Sequence, residues 1–123
     1  MPAPIVHFEI GVKDIAKAQK FYGPLFGWEF QTFGTAAMVG NVGPMAPSPT
    51  QGIGGHLNSL GHPPHQYVTF YAQVDDLQKT LEQATKLGGK TIVPPQEVPG
   101  MGHFAWFQDP EGNCVGIWKP MKK

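Results

Sequence analysis

Residues 5–28 of the chain read IVHFEIGVKDIAKAQKFYGPLFGW, and residues 67–89 read YVTFYAQVDDLQKTLEQATKLGG. Sliding the sequence along itself by 62 residues brings identical residues of these two stretches together. The matched pairs are Phe8 and Phe70, Val12 and Val74, Asp14 and Asp76, Lys17 and Lys79, Leu25 and Leu87, and Gly27 and Gly89. The chain therefore contains an internal repeat, and each copy should have the same order of helices and strands.

Each copy begins with an alternating pattern that predicts a β-strand. In the first copy, Val6, Phe8 and Ile10 fall on one face and His7 and Glu9 on the other. The apolar face of each copy is expected to pack under its helix, and the residues on these faces are Val6, Phe8, Ile10, Val68, Phe70, Ala72, Val115 and Ile117. An aspartate then stands where a helix N-cap is expected, apolar residues follow at helical spacing, and glycines end the pattern. The caps are Asp14 in the first copy and Asp75 or Asp76 in the second, and the terminating glycines are Gly27 in the first copy and Gly88 with Gly89 in the second.

The rest of each copy is typical of short strands separated by turns. The predicted strands are residues 28–33, 37–42 and 52–57, then 90–93, 103–108 and 113–119. The unit is thus βαβββ, written twice, and the predicted class is α+β. We expect one domain over residues 1–123, with a first unit at 1–58 and a second at 66–120.

The amino-acid composition indicates the cellular compartment and the kind of partner to expect. The single cysteine allows no internal disulfide and favours a reducing compartment. The sequence has neither the pattern of a signal peptide nor an apolar run long enough to span a membrane, so we expect a cytoplasmic protein. Nine lysines balance nine acidic residues, and arginine is absent. Because arginine dominates specific contacts with bases and phosphates, nucleic acid is not an expected partner.

No charged residue occurs between Phe30 and Val74. Two Pro-rich segments within this stretch, residues 43–51 and 61–65, are predicted loops. They are either plain uncharged surface loops or a lid over a neutral cavity, and the sequence leaves both open.

The runs VHFEIGVKDIAKAQKFYGPLFGWEF, VDDLQKTLEQATKLGGKTIVPP and FAWFQDPEGNCVGIW resemble the vicinal-oxygen-chelate superfamily, which includes glyoxalase I, bleomycin-resistance proteins and extradiol dioxygenases. The resemblance covers nearly the whole chain. It implies two βαβββ units forming a half-closed barrel around a cavity, with helix-packed faces outside, and a homodimer. It specifies fold more closely than function, since members include enzymes and non-catalytic binding proteins.

The resemblance also implies where a metal would be held. The family's ligand positions fall on His7, Gly54, Thr69 and Gly116. Glycine has no donor side chain and a threonine hydroxyl is a poor ligand for a transition metal. We therefore predict no metal and no other cofactor, although a displaced site built from His7, Glu9 and His56 stays as an alternative.

His7 and Glu9 are the predicted catalytic residues. They stand two apart on one strand, so both side chains should point into the cavity and could form an acid–base pair. The competing interpretation is that they only hydrogen-bond each other and satisfy a polar inner wall.

Aromatic side chains with a polar edge suit an aromatic or heterocyclic ligand, unless they simply fill the core. The predicted ligand-binding residues are Tyr67, Thr69, Tyr71, Trp106, Trp118 and His56. The predicted function is binding of a small, neutral, aromatic molecule by a metal-independent binding protein or enzyme. The alternatives are a metal-dependent lyase or dioxygenase with displaced ligands, and a drug-sequestering protein. Cationic drugs favour an acidic groove, and the neutral net charge and uncharged middle of the sequence offer none.

Overall fold

The computed structural model describes residues 2–39 and 53–121, which form eight strands and two helices. The elements are β1 (Ile5–Gly11), α1 (Ile15–Phe26), β2 (Phe30–Phe33), β3 (Ala36–Val39), β4 (Gly54–Asn58), β5 (Tyr67–Gln73), α2 (Leu77–Lys86), β6 (Lys90–Val98), β7 (Gly102–Gln108) and β8 (Cys114–Pro120). The α+β class and the doubled βαβββ order are confirmed. The predicted loop at 43–51 lies outside the described residues, as do positions 40–42 and 52 of two predicted strands.

The chain divides into two compact units. The first is Val6–Thr69, and the second is Phe70–Lys123 together with Met1–Ile5. In the first unit the strand order is β2-β3-β4-β1, and β1 and β4 are parallel. In the second the order is β5-β8-β7-β6, and β5 and β8 are parallel. The repeated sequence therefore gives a repeated topology.

Both helices begin where the aspartates predict. A side-chain oxygen of Asp14 accepts a hydrogen bond from the Lys17 backbone N–H at 3.0 Å, and Asp76 accepts from Lys79 at 3.0 Å. These bonds satisfy backbone donors that have no partner within the helix. Gly27 ends α1 in a left-handed conformation, with φ of 70°.

Each helix covers one apolar cluster. In the first unit Ala18 of α1 packs with Ala37 and Leu57, while Ile10 and Tyr22 lie against them. In the second unit the buried cluster is Leu77, Leu81, Ala105 and Ile117, with Ala72, Val74 and Phe107 packed against it. Ile10, Ala72 and Ile117 are thus on the helix-covered face that the alternation predicts.

Two residues predicted beneath α2 are exposed instead. Val68 is 78% exposed and Phe70 is 39% exposed. They have the same strand parity as Ala72 and Val74, which do pack against the α2 cluster. The predicted face is correct, but the helix covers only the later part of β5.

Strand ends also differ from the prediction, and β6 differs most. It continues to Val98 through Pro94 and Pro95, beyond the predicted end at residue 93. Its pairing with β7 shifts register between Thr91 and Val93 and between Val93 and Gln96. β6 is the edge strand of its unit, and edge strands and bulges are where a sheet accepts proline.

Candidate functional site

The first unit buries two ionisable side chains on β1. His7 is fully buried and Glu9 is 2% exposed. The strand pairs in parallel with β4, and in this register Glu9 lies directly opposite His56. Residues opposite each other on neighbouring strands project to the same side, so the sheet brings the three side chains together.

His56 bridges the two predicted catalytic residues. Its Nδ1 lies 2.6 Å from His7 Nε2, and its Nε2 lies 3.3 Å from Glu9 Oε1. The side chain of His56 is 16% exposed, whereas the other two are almost wholly buried. The three side chains, His7, His56 and Glu9, form a continuous hydrogen-bonded chain, which we call the His–His–Glu chain.

One arrangement of protons satisfies all of these contacts. A neutral imidazole has one N–H and one acceptor nitrogen. In this arrangement His56 donates its Nε2–H to the carboxylate of Glu9, and its Nδ1 accepts a hydrogen bond from the Nε2–H of His7. Every donor in the chain then points towards Glu9, and the carboxylate fixes the tautomer of His56 as carboxylates fix catalytic and metal-binding histidines.

Glu9 has further donors on its other oxygen. The Tyr67 hydroxyl donates a hydrogen bond to Oε2, and Asn58 Nδ2 donates to the same oxygen at 3.3 Å. Asn58 is in turn held by Thr35, whose hydroxyl donates to Asn58 Oδ1 at 3.2 Å. An ionised carboxylate accepts hydrogen bonds only, so three donors around Glu9 suit the charged form. A buried charge needs such partners.

This chain has the parts needed to move a proton. Imidazole and carboxylate groups linked by hydrogen bonds can take a proton at one end and shift charge along the line. His56 is the most exposed of the three, but both of its ring nitrogens are engaged, so a ligand would have to displace His7 or Glu9 from one of them to exchange a proton with the ring. His7 and Glu9 hold its ring from both sides.

The residues present do not fit the metal that the family resemblance implies. Of the four implied positions only His7 has a strong donor, and Gly116 lies under the ring of Tyr71, so a ligand side chain there would displace that ring. Two nitrogens bound to one tetrahedral zinc lie roughly 3.3 Å apart, since each Zn–N bond is about 2.0–2.1 Å. His7 Nε2 and His56 Nδ1 are closer than this and face each other. Within residues 2–39 and 53–121 no three His, Cys, Asp or Glu side chains are arranged to hold a metal ion.

The predicted ligand-binding residues separate into two groups. Tyr67 and His56 join Glu9 in the first unit, and Thr69 is buried in that unit at 5% exposure. Tyr71, Trp106 and Trp118 are buried in the second unit. There, Trp106 Nε1 donates a hydrogen bond to the Tyr71 hydroxyl at 2.8 Å.

Asn58 and Thr35 were missed by the sequence reasoning. Asn58 stands two residues after His56, so the alternation of β4 could have placed it on the same face. Thr35 lies in the turn between β2 and β3, and only the pairing of β3 with β4, in which Ala36 lies opposite Asn58, brings it near.

Comparison with known proteins gives a consistent family assignment. The sequence model of the Glyoxalase/Bleomycin resistance protein/Dioxygenase superfamily matches residues 4–117. A glyoxylase-like domain-containing protein from Didymella fabae is 34% identical over 115 residues, which cover 89% of this chain and 88% of that protein. The anthracycline biosynthesis protein DnrV from Streptomyces peucetius is 26% identical over 96% of this chain, but the match spans only 47% of DnrV. A putative glyoxylase from Mycobacterium bovis is matched over 43% of its length at 24% identity.

Solved structures show the same fold. Methylmalonyl-CoA epimerase from Streptomyces coelicolor superposes with a TM-score of 0.68 at 12% identity, covering 99% of this chain and all of that one. A glyoxalase/bleomycin resistance protein/dioxygenase superfamily member from Vibrio splendidus superposes with a TM-score of 0.60 at 18% identity, over 98% of this chain. No helix in the described part of the chain is long and apolar enough to cross a membrane.

Proposed function

Because the chain belongs to the Glyoxalase/Bleomycin resistance protein/Dioxygenase superfamily, we propose that it binds a small, neutral, aromatic molecule and acts on it, or holds it, through the His–His–Glu chain rather than through a metal. The single observation that carries the proposal is the His56 ring held between buried His7 and buried Glu9. The reaction class that fits is proton transfer, with Glu9 as the final base.

Burial supports a working role for Glu9. A lone carboxylate inside a protein is costly, and it is tolerated where hydrogen bonds compensate it or where its function requires it. Glu9 has three named donors on two oxygens, from β4 and β5. This fixes the carboxylate in place, and preorganised groups of this kind are what acid–base catalysis uses.

The aromatic, neutral ligand is proposed from the surrounding side chains. The first unit has no charged residue after Phe30, and Tyr67 reaches Glu9 with its hydroxyl. Two relatives are by name anthracycline biosynthesis proteins, and anthracyclines are built on fused aromatic rings. A homodimer, as the resemblance implies, and a cytoplasmic location, as the single cysteine favours, are part of the proposal.

The test is a ligand screen by thermal shift, run on the parent, on Glu9→Gln and on Glu29→Gln. Glutamine keeps the volume of Glu9 and removes its charge, and exposed Glu29 in the same unit is the matched control. We expect aromatic ligands that stabilise the parent and Glu29→Gln but not Glu9→Gln. For each ligand that carries an acidic C–H, deuterium exchange from D₂O should be seen by NMR with the parent and with Glu29→Gln, but not with Glu9→Gln. Ligands that stabilise all three proteins equally would remove Glu9 from the site.

A second candidate is a metal-dependent enzyme that uses His7, His56 and Glu9 as displaced ligands. The closeness of these three side chains favours this candidate. The two histidine nitrogens count against it, because His7 Nε2 and His56 Nδ1 face each other at 2.6 Å, closer than two nitrogens bound to one metal ion. Metal analysis of protein purified without a histidine tag separates the two candidates. We expect no stoichiometric zinc, nickel, manganese or iron, and a thermal midpoint unchanged by chelator. One equivalent of metal that is lost in both His7→Ala and His56→Ala would establish the second candidate.

A further inference from the structure

The second unit carries an aromatic face on the side of its sheet away from α2. Trp106 lies opposite Gly116, and Phe104 lies opposite Trp118, in the pairing of β7 with β8. Tyr71 of β5 is also opposite Gly116. Ala105 and Ile117, which alternate with these residues, pack in the α2 cluster. Four aromatic side chains therefore share the other face: Tyr71, Phe104, Trp106 and Trp118.

Glycines make room for these rings. The Tyr71 ring lies over Gly116, where any β-carbon would overlap it. A β-carbon at Gly102 would lie 2.8 Å from Trp118 Cζ2, so the edge of the indole that bears Nε1 rests close to the backbone there. Tyr71 and Phe104 meet edge to face, with ring centroids 6.3 Å apart. The face is packed, apolar and without a charged group among the four rings.

The two indoles on this face differ in one respect. Trp106 Nε1–H donates to the Tyr71 hydroxyl at 2.8 Å. Trp118 is 2% exposed, and its Nε1–H has no acceptor among the residues that the structure describes. A buried donor without an acceptor costs free energy, and native proteins leave very few of them. An acceptor supplied from outside would recover that cost.

We propose that the aromatic face of the second unit is a binding subsite for a flat aromatic ketone, whose carbonyl oxygen accepts a hydrogen bond from Trp118 Nε1. The rings supply stacking partners, the indole N–H supplies a single neutral donor, and the lack of charge selects against ionised ligands. Because the nitrogen is buried in the free chain, the ligand inserts between Trp118 and a neighbouring ring. The proposal rests on the proposed function only in taking the ligand to be aromatic; it does not depend on the His–His–Glu chain.

The first arm of the test concerns the protein without ligand. Trp118→Phe removes the unpaired donor and keeps a large aromatic ring, while Trp106→Phe, the matched control, removes a donor that has a partner. Both changes remove the same part of a buried ring and should lower the unfolding temperature through lost packing, but Trp118→Phe should lower it less than Trp106→Phe, which also leaves the Tyr71 hydroxyl without this donor. An equal lowering in both variants would mean that Trp118 already has an acceptor within the protein, and would overturn the proposal.

The second arm uses α-tetralone and tetralin, which share a ring system and differ by the carbonyl. The chain has three tryptophans, so ¹H–¹⁵N spectra should contain three indole N–H signals, assignable with the phenylalanine variants. We expect α-tetralone to shift the Trp118 signal downfield and tetralin to leave it in place. Trp118→Phe should weaken α-tetralone binding by roughly three- to tenfold, as for one neutral hydrogen bond, and leave tetralin binding unchanged.

The binding experiments distinguish failure of this proposal from failure of the proposed function. No binding of α-tetralone up to its solubility limit, or binding that leaves the Trp118 signal unmoved, overturns the subsite whatever Glu9 does. Conversely, α-tetralone binding that depends on Trp118 and is the same in Glu9→Gln supports the subsite while giving the His–His–Glu chain no part in it.

Discussion

The ring of Tyr67 lies over Gly11, so closely that a β-carbon on Gly11 would overlap the ring. Gly11 ends β1, the strand that carries Glu9, and the Tyr67 hydroxyl donates to that carboxylate. A single strand therefore provides both the buried acid and the space for the ring that holds it. The glycine is required by close approach rather than by its backbone angles, because Gly11 is not among the positions with positive φ.

Gly11→Ala should lower the free energy of unfolding by about 1–3 kcal/mol, the usual range for overpacking a filled site. The added methyl group pushes Tyr67 away and weakens its bond to Glu9. Urea unfolding followed by tyrosine and tryptophan fluorescence measures the change. Gly23→Ala is the control, since its β-carbon would meet Trp28 O at an ordinary 3.4 Å, and a helical alanine is favoured by about 0.5–1 kcal/mol over glycine. Equal stability of the two variants would contradict this packing.

Tyr67→Phe tests the hydrogen bond without disturbing the ring. Loss of the hydroxyl leaves Glu9 with one donor fewer, and we expect a cost of about 1–3 kcal/mol. In a double-mutant cycle with Glu9→Gln the two changes should couple by at least about 0.5 kcal/mol, as residues in one network do. Strict additivity would show that the hydroxyl and the carboxylate do not interact.

Substitutions at Leu81 and at Val68 should differ sharply in their effect on stability. Leu81 is 3% exposed within the cluster under α2, so Leu81→Ala should cost about 2–5 kcal/mol. Val68→Ala should change the stability by no more than about 0.5 kcal/mol, because Val68 is 78% exposed. Thermal or urea unfolding of both variants measures this. If Val68→Ala were as costly as Leu81→Ala, Val68 would have to be covered, for instance by a second copy of the chain.

The turn before β8 should respond to acid. The side-chain amide of Asn113 donates to Asp109 Oδ2 at 2.9 Å, and the backbone N–H groups of Asn113 and Glu111 donate to Oδ1. Of these, the Asn113 side chain contributes most to holding the pKa of Asp109 below its ordinary value of 3.8. The folded state thus favours the ionised carboxyl.

A lowered pKa gives a stability contribution that is present above pH 3.8 and is lost as the pH falls through the folded-state value. Asp109→Asn should therefore be less stable than the parent at neutral pH, with a difference that narrows below pH 3.8. Unfolding curves at several pH values measure this, with Glu111→Gln as the control. A difference that stays constant on acidification would exclude Asp109 as its source.

The alternation of apolar and polar residues in the strands and the helix caps could be predicted from the sequence, because both depend on residues that are close together in the chain. Asp14 and Asp76 cap the helices through bonds spanning three residues, and the repeat showed that both units share one topology. The C-terminal end of β6 could not be predicted in this way. Pro94 and Pro95 normally argue against a strand, and only the edge position of β6 in its sheet accommodates them.

By itself the sequence determined the class, the two βαβββ units and the common face of His7 and Glu9, because periodicity and capping are local properties. Tertiary structure alone decided that His56 stands between these two residues, that Asn58 and Tyr67 share Glu9 Oε2, and that Tyr71 lies opposite Gly116. These relationships depend on the register between strands that are about fifty residues apart in sequence. Register is set by packing across the sheet, and a slip of one residue would turn every side chain to the other face.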